Sequence, residues 1–197
     1  SCRPVNGNLG YSWQIAGLAT VLATVPVRAS YQSTDLVVWG NASAGLTNVP
    51  VTLTNVVAIA AGDGHHLALR GDGTVFAWTT NSFPIQVPPG ATNVVSVAAR
   101  GSLSLALRVD GRVIAWGDNT YGQTSVPPNL TNAIAIASGV GHGLALRADG
   151  QVVAWGDNTY GQTNIPPDVT NVIAIAAGYR HNLALREDVA LIGWGWN

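Results

Sequence analysis

The sequence predicts an all-β fold of β-propeller type, built from a repeating unit of 38–39 residues, and three observations carry that prediction. Tryptophan recurs at a nearly fixed step, a short apolar strand pattern travels with it, and every unit carries the same turn residues. Trp39, Trp78, Trp116, Trp155 and Trp194 are spaced 39, 38, 39 and 39 residues apart. The stretch Val-Val-Ala-Ile-Ala-Ala-Gly ending at Gly62 returns in the stretches ending at Arg100, Gly139 and Gly178. Leu-Ala-Leu-Arg occurs four times, closing on Arg70, Arg108, Arg147 and Arg186. Asp72, Asp110, Asp149 and Asp188 follow two residues later, and Trp-Gly-Asp-Asn-Thr-Tyr-Gly-Gln-Thr stands unchanged at 116–124 and 155–163.

Each unit reads as three short strands separated by turn signals. Strand one is the Val/Ile-Ala-Ile-Ala segment and strand two is Leu-Ala-Leu-Arg. Asp72-Gly73, Asp110-Gly111 and Asp149-Gly150 then supply hairpin turns, because glycine accepts the positive φ these turns need. Strand three ends in Ala-Trp. Pro88-Pro89, Pro127-Pro128 and Pro166-Pro167 stop regular pairing, since proline has no N–H to donate. No segment shows a 3.6-residue apolar period with caps, so few helices are expected.

The alternation within the strands is large apolar against small apolar, with Ile173 and Ile175 set against Ala174 and Ala176, and Leu183 and Leu185 against Ala184. A half-exposed strand would alternate apolar with polar. Both faces are therefore expected to be buried, as in blades stacked around an axis with small residues at the tapered inner edge. The recurrent Trp is expected to pack between blades with its N–H on a backbone acceptor. The Arg-x-Asp pair reads as a hydrogen-bonding device beside the hairpin. Residues 34–197 carry the repeats, which amount to about five blades or part of a larger ring. Residues 1–33 lack the landmarks and read as a degenerate blade, a closing strand or an assembly arm; an uncleaved signal-like segment is the alternative.

Composition narrows the function classes. Charged residues make up only 10% of the chain, all nine basic residues are Arg, and the net charge is −1. No basic stripe exists to displace counterions from phosphate, so nucleic acid is not an expected partner. Stable membrane insertion is not expected either, because Asn6, Asn8, Gln14 and Pro26 interrupt or flank the apolar run at 15–27. Cys2 is the only cysteine, which excludes an intrachain disulfide and a cysteine-based zinc site. A secreted or cell-surface location is the expectation. His65, His142 and His181 share one repeat position with Leu103 in the fourth place, a pattern that suits structural histidines better than a metal site. No nucleophile–base pair, carboxylate pair or phosphate-cradling loop stands out, so no enzyme activity, cofactor or metal is predicted.

Across residues 34–197, the Gly-x-x-His-x-Leu-Ala-Leu-Arg and Val-x-Ala-Trp-Gly-Asp-Asn-Thr-Tyr-Gly-Gln-Thr elements resemble the regulator-of-chromosome-condensation repeat family. The likeness is nearest to its short bacterial version, typified by the propeller-type β-lactamase inhibitor protein. The resemblance implies a propeller, normally seven-bladed, whose loops bind other proteins; guanine-nucleotide exchange, light sensing and enzyme inhibition all occur in the family. The tight units here leave no room for the insertions that nucleotide exchange requires. In the inhibitor, aromatic residues just before the repeat His form much of the binding face. The matching pairs here are Asp63-Gly64, Gly101-Ser102, Val140-Gly141 and Tyr179-Arg180, of which only Tyr179 is aromatic.

The expected function is a non-catalytic protein-binding or scaffold module using the loop face of the propeller. The partner would be another protein, or a second copy of the chain. Candidate contact residues are Tyr121, Tyr160, Tyr179, Arg180, Asn119, Asn158 and Asp63, because Tyr and Arg dominate binding hot spots. The Asn-Thr-Tyr loops serve equally well as turn residues. The alternatives are a structural subunit of an extracellular assembly whose apolar N-terminal segment exchanges strands, and an inhibitor of the β-lactamase type.

Overall fold

The computed structural model describes Leu36 and residues 49–50, 53–79 and 86–196. Residues 1–33 and Trp39 lie outside the described residues, and so does the expected division of the chain at residue 33. Twelve strands form four three-stranded antiparallel sheets, each a simple meander. The first blade holds β1 (Val56–Ala61), β2 (His65–Arg70) and β3 (Val75–Thr79). The second holds β4 (Val94–Arg100), β5 (Leu103–Arg108) and β6 (Val113–Gly117), and the third β7 (Ala133–Ser138), β8 (His142–Arg147) and β9 (Val152–Gly156). The fourth holds β10 (Val172–Ala177), β11 (His181–Arg186) and β12 (Leu191–Gly195). Among the described residues there is no helix. The all-β propeller-type architecture and its three strands per unit are thus as the repeat predicts.

Two devices start and turn each blade. An Asn in the left-handed region precedes every first strand: Asn55, Asn93, Asn132 and Asn171 have φ between 50° and 56°. Asn tolerates this conformation better than other non-glycine residues. Its carbonyl accepts the N–H of the residue that follows strand two, namely Gly71, Val109, Ala148 and Glu187, each at 2.9 Å. In the hairpins Gly73, Gly111 and Gly150 have φ of 75–79°, and Val189 fills the same place in the fourth blade at φ 60°. The Arg-x-Asp pair closes these turns. Arg108–Asp110, Arg147–Asp149 and Arg186–Asp188 approach to 2.9–3.0 Å. Asp110, Asp149 and Asp188 also accept the N–H two residues on, at 3.2 Å. Such exposed pairs contribute at most ~1 kcal/mol each, so their role is to shape the turn.

One expectation needs correction. Ile173 and Ile175 do not share a face. A register shift between Val172 and Ala174 makes Ile173 a bulge residue, and the same shift recurs at Val57, Val95 and Ile134. The bulge pushes an apolar side chain outward, so Val57, Val95 and Ile134 are exposed. Ile175 turns inward opposite Ala184 instead.

The core lies between blades. Leu67 and Leu69 of the first blade pack on Val94, Val97 and Trp116 of the second. Leu105 and Leu107 pack on Ala133, Ile136 and Trp155, and Leu144 and Leu146 on Val172, Ile175 and Trp194. Each blade therefore presents a Leu-x-Leu face to a β-branched residue and a Trp of the next. The alanines opposite let the sheets approach closely. Backbone bonds also cross between blades: Val94, Ala133 and Val172 donate to Gly73, Gly111 and Gly150 carbonyls at 3.0 Å.

Candidate functional site

Polar side chains lock the blades together at one repeat position. His65 Nε2 meets the Ser104 hydroxyl at 2.8 Å, and His142 Nε2 meets Asn182 Oδ1 at 2.7 Å. All four residues are buried, and burial pushes both imidazoles below their ordinary pKa. In between, Leu103 needs no polar partner, and the residue after the next blade's His is Gly143. The repeat glycine makes room for the ring. A Cβ at Gly62, Gly139 or Gly178 would collide with the imidazole of His65, His142 or His181. Where that glycine is Arg100, the histidine position holds Leu103. The histidines of the first and third blades are structural, and His181 is exposed.

The Trp and Gln of each repeat form a second lock. Trp155 Nε1 donates to the Gln123 carbonyl at 2.9 Å, and Trp194 Nε1 to the Gln162 carbonyl at 3.0 Å. The acceptor position for Trp116, one period earlier at residue 84, lies outside the described residues. The buried Gln123 side chain accepts from Tyr121 N–H at 2.8 Å and donates to Asp118 at 2.9 Å. A hydrogen bond from the Thr120 hydroxyl holds the Asp118 carboxyl below its usual pKa. Asn119 and Asn158 close the same loops, their Oδ1 atoms accepting Thr124 and Thr163 N–H at 2.9 and 3.0 Å. These interactions give the two asparagines a loop-building role.

All seven candidate contact residues project from one end of the blades, the end opposite the Asp-Gly hairpins. Asp63, Tyr179 and Arg180 lie in the connections between strands one and two, and Asn119, Tyr121, Asn158 and Tyr160 lie just beyond strand three. Three of them meet. The Arg180 guanidinium sits 4.5 Å from the Tyr160 ring centre and 5.2 Å from that of Tyr179. Trp196, which the repeat reading did not single out, joins them with its ring 5.7 Å from Tyr160. Its backbone N–H donates to the Arg180 carbonyl at 2.8 Å. The signal in the sequence is its phase: Trp196 follows Trp194-Gly195 where Asp118 and Asp157 follow the earlier Trp-Gly pairs. At Asp157 burial works to raise the carboxyl pKa. The Thr159 hydroxyl and N–H, with Arg180 nearby, outweigh it and hold the group below its usual value.

Tyr121 lies one blade back, beside Gly141 and Asp157 rather than in the cluster. Asp63 lies in the first blade, where its N–H donates to the Gly101 carbonyl at 3.0 Å. Tyr121, Tyr160, Tyr179 and Trp196 are all exposed, so the end of the third and fourth blades shows an aromatic surface with one arginine pinned within it. Among the described residues no three His, Cys, Asp or Glu side chains come together.

A model of the regulator of chromosome condensation (RCC1) repeat matches residues 56–83, 94–123, 133–162 and 172–197. No curated protein sequence matches the chain. Among solved structures it is similar to Prp20p from Saccharomyces cerevisiae, a protein described with its binding properties to Gsp1p and histones. That match has 25% identity and TM-score 0.60, and covers 72% of this chain and 44% of that one. The ectodomain of the Physcomitrella patens receptor kinase CR4 is 27% identical with TM-score 0.63, covering 81% of this chain and 46% of that one. Human WBSCR16, at 23% identity and TM-score 0.56, shows the shared fold and covers 71% and 47%. The chain spans less than half the length of each of these proteins. With more than half of its residues matched, repeat by repeat, the chain belongs to the regulator of chromosome condensation (RCC1) repeat family.

Proposed function

We propose that this protein is a non-catalytic binding module that captures another protein on the aromatic end of its third and fourth blades. The observation that carries this reading is Arg180 held between Tyr160 and Tyr179 with Trp196 alongside, all on a rigid blade end. Tyr, Trp and Arg supply most binding energy at protein interfaces, and residues already fixed in place lose little entropy on binding. A relative with the same repeats, Prp20p, is described by its binding to Gsp1p and histones, which supports a protein partner for this fold.

The test compares two triple variants of the full chain in affinity capture from its native source. Tyr160→Ala, Tyr179→Ala and Arg180→Ala together should remove the specific partner. Asp72→Ala, Asp110→Ala and Asp149→Ala, at the opposite end of the blades, should retain it. A partner held equally by both would refute the site.

A further inference from the structure

We propose that the protein self-associates head to tail, the fourth blade of one copy stacking on the first blade of a second through the interface that already joins successive blades. That interface occurs three times within the chain. Each time a Leu-x-Leu face receives a β-branched residue from strand one of the next blade, as in Leu105 and Leu107 against Ile136. Both halves of a fourth such interface stand open. Ile59 is 59% exposed, whereas its counterparts Val97, Ile136 and Ile175 are 5–7% exposed. At the other end Leu183 is 38% exposed, against 0% for Leu67, Leu105 and Leu144; Leu191 is 64% exposed, against 8% for Val152.

The polar register continues in the same way. His65 and His142 each reach a side chain of the next blade, and the exposed His181 holds that donor position in the fourth blade. In the first blade His66, packed against the Trp78 ring, holds the receiving position of Ser104 and Asn182. One chain carries both halves, so every other copy carries the complement of each open face. Head-to-tail contacts of this kind form rings when the rotation closes. Two copies bring eight of the described blades around one axis, within the range of about 4–8 found in propellers.

Val189 sets the strength of this joint. Gly73, Gly111 and Gly150 lie so close to the next blade that an added Cβ would come within 2.8–3.2 Å of Asn93, Asn132 or Asn171 Cα. Val189 carries a real Cβ at that place and would press on Asn55 of the second copy. The association is therefore weak and concentration-dependent, and Val189→Gly strengthens it about tenfold by relieving overpacking.

The test is sedimentation of the full chain over a wide concentration range, with cross-linking. The mass should rise from one towards two copies. Ile59→Glu and Leu183→Glu should each hold it at one copy without altering the circular dichroism spectrum or the melting temperature of the monomer. In a Cys2→Ser background, a short bis-maleimide should join Ile59→Cys chains to Leu183→Cys chains. A single-copy mass at every concentration would overturn the proposal. So would cross-linked pairs of Leu183→Cys chains alone, a bridge within one chain carrying both cysteines, or association weakened by Val189→Gly.

Discussion

Gly139→Ala tests the coupling between the repeat glycine and the histidine three residues on. Gly139 is not in the left-handed region, so alanine meets no backbone penalty there; the issue is space. The new Cβ would lie within 3 Å of three atoms of the His142 ring, which is fully buried and bonded to Asn182. Overpacking of this kind costs about 1–3 kcal/mol. Expelling the ring also strands Asn182 Oδ1 in the core, at a further cost of about 1–3 kcal/mol. The expected loss is therefore about 3 kcal/mol, measured as a shift in the urea unfolding midpoint. The second blade shows how to restore it, because Arg100 carries a Cβ at the glycine position and is followed by Leu103 in place of His. In a His142→Leu background the same Gly139→Ala change should cost under about 1 kcal/mol, leaving a coupling of about 2 kcal/mol in the double-mutant cycle. Equal costs in the two backgrounds would show that the ring is not what the glycine accommodates.

Two further outcomes follow from the same blade chemistry. Val189→Gly should stabilise the monomer by about 0.5–1 kcal/mol, because relief of a left-handed β-branched residue outweighs the greater chain entropy of glycine; a drop in melting temperature at low protein concentration would contradict this. Stability should also fall on acidification. Burial lowers the folded-state pKa of His65 and His142 below the unfolded value of 6.5. Their contribution is complete above pH 6.5 and is lost as pH falls from there towards the lower folded values. Urea midpoints between pH 7.5 and 5 should show this fall, and His142→Leu should flatten it; a pH-independent midpoint would mean the histidines are not buried as neutral rings.

The sequence by itself determined whatever repeats. The strand order, the Asp-Gly hairpins and the Arg-x-Asp turn device follow from local backbone chemistry, which one unit of 38–39 residues contains in full. Repeat phase also placed all seven candidate contact residues on one end of the blades, because equivalent positions must fall at equivalent places in stacked sheets. Tertiary structure alone decided how those positions meet. Tyr160 and Arg180 lie 20 residues apart in different repeats, and only the stacking of the fourth blade on the third sets one ring against the other. The pairing of His142 with Asn182 spans 40 residues for the same reason. The bulge that turns Ile134 outward leaves no mark in the alternation, since an extra residue in an apolar run keeps the run apolar while changing its face. Periodicity specifies the blade; contact between neighbouring blades specifies the surface.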